Sequence, residues 1–286
     1  MKSYPEYWLE DPVDLLRVTE GFRLADTPTD AAPGFDSSHN HADDALAAGA
    51  AILDDLQERL YARSRVGDER RVLLVLQAMD TAGKGGIIRH VVGSVDPQGV
   101  HLAAFKRPTP EEAAHDFLWR VERHVPEAGL IGVFDRSHYE DVLIQRVRQL
   151  AAPDEIERRY GAINEFEATL AESGTTIVKV MLHLSPAEQK RRLAERLARV
   201  DKHWKYNPGD VDERELWPQY MEAYQIVFDR CTTAAAPWYV VPADRKWYAR
   251  LVVQHLLIDA LTSLDLQWPP AAFDVEAEKA RLASSL

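Results

Sequence analysis

Five short apolar runs stand out along the chain: Val72 to Leu76, Val100 to Phe105, Leu130 to Phe134, Thr175 to Leu184 and Trp238 to Val241. Runs of this length, rich in β-branched and aromatic residues and bounded by turn residues, read as buried strands. Between them, apolar residues recur at helical spacing. From Asp43 to Arg65, Leu46, Ala50, Leu53, Leu56, Leu60 and Tyr61 fall on one side, with Asp54, Asp55, Glu58 and Arg59 opposite, which predicts one long helix. Further helices are expected over 109–124, 139–150, 153–173, from 185 onward, over 212–232 and over 245–264. Thr109-Pro110-Glu111-Glu112 and Ser185-Pro186-Ala187-Glu188 are capping-box patterns with Pro at the first helical position. Strands alternating with helices predict an α/β protein. Residues 1–41 read as irregular, and Asp36–His41 as a polar loop in which His39 and His41 lack a third metal ligand nearby.

The first strand runs straight into chemistry. After Val72 to Leu76 comes Gln77-Ala78-Met79-Asp80-Thr81-Ala82-Gly83-Lys84-Gly85-Gly86, then a helix start. Strand, Gly-rich turn and helix form a phosphate-binding loop, where backbone N–H groups and a lysine converge on an anion. The match to GxxxxGK[ST] is imperfect: Ala78 stands for the first Gly and Gly85 for the hydroxyl residue that would meet Mg²⁺. Asp80, inside the loop, is the candidate substitute ligand. The third strand ends in Asp135-Arg136-Ser137-His138-Tyr139-Glu140-Asp141, and an apolar strand ending in Asp is the Walker B arrangement. Arg136 would reach the same phosphates with a planar fork.

Composition sharpens this. The chain has 286 residues, 46% hydrophobic and 28% charged, which is ordinary for a globular protein with a sizeable core. Its net charge of −12 argues against nucleic acid or an anionic membrane as partner, so a site for polyanions must concentrate positive charge locally. Between Lys190 and Tyr206 it does: Lys190, Arg191, Arg192, Arg196, Arg199, Lys202 and Lys205 face only Glu195 and Asp201. A second basic pair, Lys106-Arg107, follows the second strand at the edge where open α/β sheets bind ligands. The single cysteine, Cys231, excludes an intrachain disulfide. With no apolar signal core at the N-terminus and no membrane-length apolar window, a cytoplasmic location is expected.

Taken together, these residues resemble the polyphosphate kinase 2 family of polyphosphate–nucleotide phosphotransferases. The resemblance is carried by A-M-D-T-A-G-K-G-G at 78–86, F-K-R-P at 105–108, H-D-F-L-W-R at 115–120, F-D-R-S-H-Y-E-D-V-L at 134–143 and K-H-W-K-Y-N-P at 202–208, and spans about residues 10–265. It implies a thymidylate-kinase-like P-loop fold, a five-stranded parallel sheet with helices on both faces and a helical lid. Residues 1–70 would be a helical extension packed on a core at 71–265, with the lid at about 190–215 and a tail at 266–286. It implies phosphoryl transfer from inorganic polyphosphate to AMP or ADP, giving ADP or ATP, reversibly and with Mg²⁺ or Mn²⁺, in a homodimer or homotetramer. Asp80 and Asp135 would hold the metal, and Lys84 and Arg136 would meet the transferring group. Ala82, Gly83, Gly85, Gly86, Arg89, Lys106, Arg107, Ser137, Tyr139, Glu140, Arg191, Arg192, Lys202 and Lys205 would serve the phosphates and the nucleotide. Arg196 and Arg199, further along the helix, are expected to matter less to the polyphosphate than Arg191 and Arg192. The competing readings are an ATP-dependent nucleoside monophosphate kinase, against which Gly85 argues, and a silent nucleotide- or polyphosphate-binding module, against which Asp80, Lys84, Asp135 and Arg136 together argue.

Overall fold

A computed structural model describes residues 3–35 and 41–285, so all of the expected polar loop except His41 lies outside the described residues, His39 included. In chain order the regular elements are α1 (Pro12–Leu16), α2 (Ala42–Ser64), β1 (Arg71–Ala78), α3 (Lys84–His90), β2 (Val100–Ala104), α4 (Trp119–Glu122), β3 (Ile131–Asp135) and α5 (Ile144–Val147). They continue with α6 (Pro153–Glu172), β4 (Thr175–His183), α7 (Pro186–Ala198), α8 (Gly209–Glu215), α9 (Trp217–Cys231), β5 (Trp238–Pro242), α10 (Lys246–Thr262) and α11 (Val275–Ala283). Each expected strand is present, and the five form one all-parallel sheet in the order β2-β3-β1-β4-β5.

Side chains alternate across the sheet with the period of the pleat. Val72, Leu74 and Leu76 of β1 enter the core on the α2 and α10 side, while Leu73 and Val75 enter the core on the α6 and α9 side. Both faces are covered, which is why the strands read as continuous apolar runs rather than alternating ones. No helix among the described residues is long and apolar enough to cross a membrane.

Three expected helices are interrupted. The Thr109–Glu112 capping box forms, with the Thr109 N–H on Glu112 and the Glu112 N–H on Thr109 Oγ1. The turn that it opens lasts only from Glu112 to Ala114. His115 is extended, the Asp116 carboxylate takes the Leu118 N–H, and buried Phe117 and Leu118 draw the chain onto the sheet, leaving α4 as a single turn. Over 139–150 a 3₁₀ turn, His138–Asp141, precedes the short α5. The 212–232 helix breaks at Leu216, because Pro218 in the first turn of α9 has no N–H to continue the ladder from α8. The tail carries a helix too: α11 has no buried residue.

Candidate active site

The C-terminal ends of β1, β3 and β4 set the site. From β1 the chain turns through Met79–Gly83 into α3; Gly83 has φ +127°, which a side chain rarely adopts, and Thr81 is left-handed at φ +68°. The loop is held in that shape from behind. Arg192, only 4% exposed, donates to the carbonyls of Thr81 (3.0 Å), Ala82 (2.8 Å), Ala243 (2.7 Å) and Asp244 (3.0 Å) and to Glu188 Oε1 (2.7 Å). All five of its N–H groups are thereby used. Gln189, one turn earlier on α7, donates to the Asp80 carbonyl at 3.0 Å.

In front of the loop lies an open trough of about 480 Å³. Lys84, Arg89, Arg136, Arg192, Arg196, Lys202, Lys205, Lys246 and Arg250 line it, against the carboxylates of Asp80, Asp135 and Glu195. In a chain of net charge −12 such a wall selects polyanions. Lys246 and Arg250, one turn apart on α10, have no carboxylate in ion-pair reach among the described residues; burial and neighbouring cations lower the Lys246 pKa, and burial lowers that of Arg250.

Arg136 is the hinge of the arrangement. It is left-handed at φ +64°, its Nη2 lies 3.0 Å from Asp80 Oδ1, and its Nη1 lies 3.7 Å from Glu140 Oε2. Burial disfavours its charge, but Glu140, Asp80 and Asp135 outweigh that and raise its pKa. Burial likewise raises the Glu140 pKa, against the pull of Arg136 and Lys84. Behind Asp80 and Arg136 a second cavity of about 200 Å³ opens between Leu143, Ile144, Tyr220 and Tyr224. The two cavities share Asp80 and Arg136.

The polyphosphate kinase 2 family model matches residues 36–268. The chain belongs to this family. It is 45% identical over 248 residues to an AMP/ADP-polyphosphate phosphotransferase of Meiothermus ruber, an alignment covering 87% of this chain and 91% of that one. It is 41% identical over 267 residues to an ADP-polyphosphate phosphotransferase of Rhodopseudomonas palustris, covering 88% and 91%. The crystal structure of polyphosphate kinase 2 from Arthrobacter aurescens TC1 superposes with a TM-score of 0.96 at 56% identity, covering 97% of this chain and 98% of that one.

Within this polyphosphate kinase 2 fold, the residues expected at the site separate. Asp80, Ala82, Gly83, Lys84, Gly85, Gly86, Arg89, Asp135, Arg136, Lys202 and Lys205 line the trough, and Glu140 lines the second cavity. Several expectations need correction. Tyr139 is fully buried, with its hydroxyl on Glu167 and Lys179, and does not reach either cavity. Ser137 is also fully buried and caps the turn by accepting from the Tyr139 N–H. Arg192 reaches the trough wall with no donor left for a phosphate. Arg191 points away, 60% exposed, onto Glu188 at 2.6 Å. Lys106 and Arg107 are exposed beyond β2 and line neither cavity. Arg196, expected to matter less than Arg191 and Arg192, is on the trough wall, and its Nη1 donates to the Lys205 carbonyl at 3.0 Å. The signal was present: Arg196 is four residues from Arg192 and so shares its helix face. Lys246 and Arg250 were also missed, although they open the helix after β5, at the same sheet edge.

Among the described residues no group of three or more His, Cys, Asp or Glu side chains could hold a metal. Asp80 and Asp135 offer two carboxylates on the wall of one trough. That donor set fits a hard divalent cation that keeps its waters and takes substrate phosphates as further ligands.

Proposed function

We propose that this chain transfers the terminal phosphoryl group of inorganic polyphosphate to AMP or ADP, reversibly. The observation that carries the reading is the cationic trough meeting a second, partly aromatic cavity at Asp80 and Arg136. The polyphosphate chain lies along the trough, where Lys84, Arg89, Arg196, Lys202, Lys205, Lys246 and Arg250 neutralise successive phosphates. The nucleotide enters from the second cavity, its base against Tyr220 and Tyr224. A phosphate oxygen of the acceptor attacks the terminal phosphorus, the bond to the bridging oxygen breaks, and the polymer leaves one phosphate shorter. The attacking oxygen is already anionic, so no general base is needed, and catalysis reduces to positioning and charge stabilisation. Lys84 and Arg136 face the charge that develops on the transferred group. Asp80 and Asp135 would hold Mg²⁺, or Mn²⁺, which when bound would add positive charge beside the substrate phosphates.

The expected homo-oligomeric state and cytoplasmic setting belong to the same reading; light scattering on the purified protein gives the subunit number. The deciding experiment incubates the protein with ADP or AMP, polyphosphate and Mg²⁺, and separately with ATP and AMP without polyphosphate. Phosphorylation only in the first supports the reading. Phosphorylation in the second alone makes it an ATP-dependent nucleoside monophosphate kinase, and none in either makes it a binding module.

A further inference from the structure

Strand β4 reads Thr-Thr-Ile-Val-Lys-Val-Met-Leu-His, and its central Lys179 is completely buried. A buried ammonium is costly unless every donor is matched. Here each of its three protons is: Glu167 Oε2 lies at 2.5 Å, the Cys231 carbonyl at 2.7 Å and the Tyr139 hydroxyl at 2.8 Å. Glu167, from the middle of α6 and 1% exposed, accepts on its other oxygen from the Tyr139 hydroxyl at 2.8 Å and faces His138 Nε2 at 3.1 Å. His138 Nδ1 is buried without a partner among the described residues, while Nε2 faces the Glu167 carboxylate. The cluster sets one lysine against one carboxylate, with the rings of His138 and Tyr139 between the pair and the turn.

Its inner side thus grips His138 and Tyr139, and the next residue of the same 3₁₀ turn, Glu140, faces the opposite way onto Arg136. Gln77, at the end of β1, closes the turn. The amide orientation that satisfies both its ends puts nitrogen 2.9 Å from Glu140 Oε1 and oxygen 3.1 Å from the Ser137 N–H. Just before the Ser137 cap of the turn stands Arg136 in its left-handed conformation. A non-glycine residue keeps such a conformation only where its surroundings over-determine it.

We propose that the buried Lys179–Glu167 pair, acting through His138 and Tyr139, is a positioning device that fixes the 138–141 turn and thereby sets Arg136 and Glu140 against Asp80. The inference rests on the proposed function, which puts Arg136 at the transferred phosphoryl group. None of the four network residues lines the trough, so they position rather than catalyse. Were the network only a source of stability, apolar residues of similar volume would replace it without loss, since exchanging a whole buried ion pair is often neutral.

That contrast supplies the test. Lys179→Met alone strands a buried carboxylate and lowers Tm, and Lys179→Met with Glu167→Met recovers it. In the double variant kcat stays down by about 10- to 100-fold with the polyphosphate KM within about twofold of wild type, because a displacement of about 1 Å costs turnover on that scale. Tyr139→Phe, which keeps the buried ring, lowers kcat about tenfold. Wild-type kcat in either the double variant or Tyr139→Phe overturns the proposal. A second measurement needs no turnover: the ¹⁵N-arginine Nε–H resonance of Arg136, assigned by its loss in Arg136→Lys, shifts or broadens in Tyr139→Phe. An unchanged resonance overturns the proposal. Absence of polyphosphate-dependent transfer by the wild type would instead sink the proposed function, and the Arg136 resonance would still decide the positioning.

Discussion

Arg136 Nη2 lies 3.0 Å from Asp80 Oδ1, so the end of β3 and the loop after β1 are joined by one ion pair at the point where the two cavities meet. Asp80 has two claims on it, one from this guanidinium and one from the metal of the proposed reaction. Asp80→Asn and Asp135→Asn should each lower kcat at least ~10²-fold at saturating Mg²⁺ while Tm stays near wild type. Turnover near wild type in either variant removes that residue from the metal site.

Neighbouring arginines on α7 should behave oppositely. Arg192→Ala leaves four carbonyls without their donor and should destabilise the protein by about 3 kcal/mol in urea unfolding. Arg192→Lys should not rescue it, because one ammonium cannot span that fork. Arg191→Ala, on the exposed side, should change stability by no more than about 0.5 kcal/mol.

The polyphosphate KM should rise with salt, and the Ala variants of Arg196, Lys202 and Lys205 should flatten that dependence by removing counterion-releasing contacts. Arg191→Ala and Arg199→Ala should follow wild type, as both side chains are exposed, paired with acidic neighbours and off the trough wall. A flattened slope in Arg199→Ala but not in Arg196→Ala would relocate the polymer's path.

Glu188 should mark the acid limit of the α7 anchor. Hydrogen bonds from Arg191, opposed by burial and joined by Arg192, hold its pKa down at about 2. A depressed carboxylate pKa gives stability that is fully present above the unfolded-state value near 4.5 and is lost as pH falls toward about 2. Glu188→Gln should therefore lower stability at pH 7 and flatten the acid limb over that window. An unaltered limb would show that the pair adds nothing to the fold.

Much of this was legible beforehand, for identifiable reasons. A strand covered on both faces is mostly apolar, so β1, β3 and β4 announce themselves despite the buried Lys179 in β4, and a loop of phosphate-binding form needs small residues such as Gly83, Gly85 and Gly86. The 109–124 segment was not legible, because its capping box is real but the helix is cut short by the burial of Phe117 and Leu118, a tertiary pull that spacing does not report. Charge likewise says nothing about depth. Arg191 and Arg192 are adjacent in sequence, yet one is solvated and the other is buried against the phosphate loop. Tyr139 shares a motif with Arg136 and Glu140, but in a 3₁₀ turn successive side chains diverge, and its side chain goes to the core.

The hydrogen bonds of Arg192 bear on what any closure of the trough could move. They bolt the first half of α7 to the carbonyls of Thr81 and Ala82 and to the stretch after β5. A lever so fastened cannot swing from its root at Ser185. Any swing of the stretch that carries Lys202 and Lys205 has its fulcrum beyond Ala198, where the helix ends and Arg199 turns extended. In such a swing the moving mass would be a short arm rather than the whole basic helix. The phosphate loop, clamped to the first half of α7, would keep one shape through such a swing.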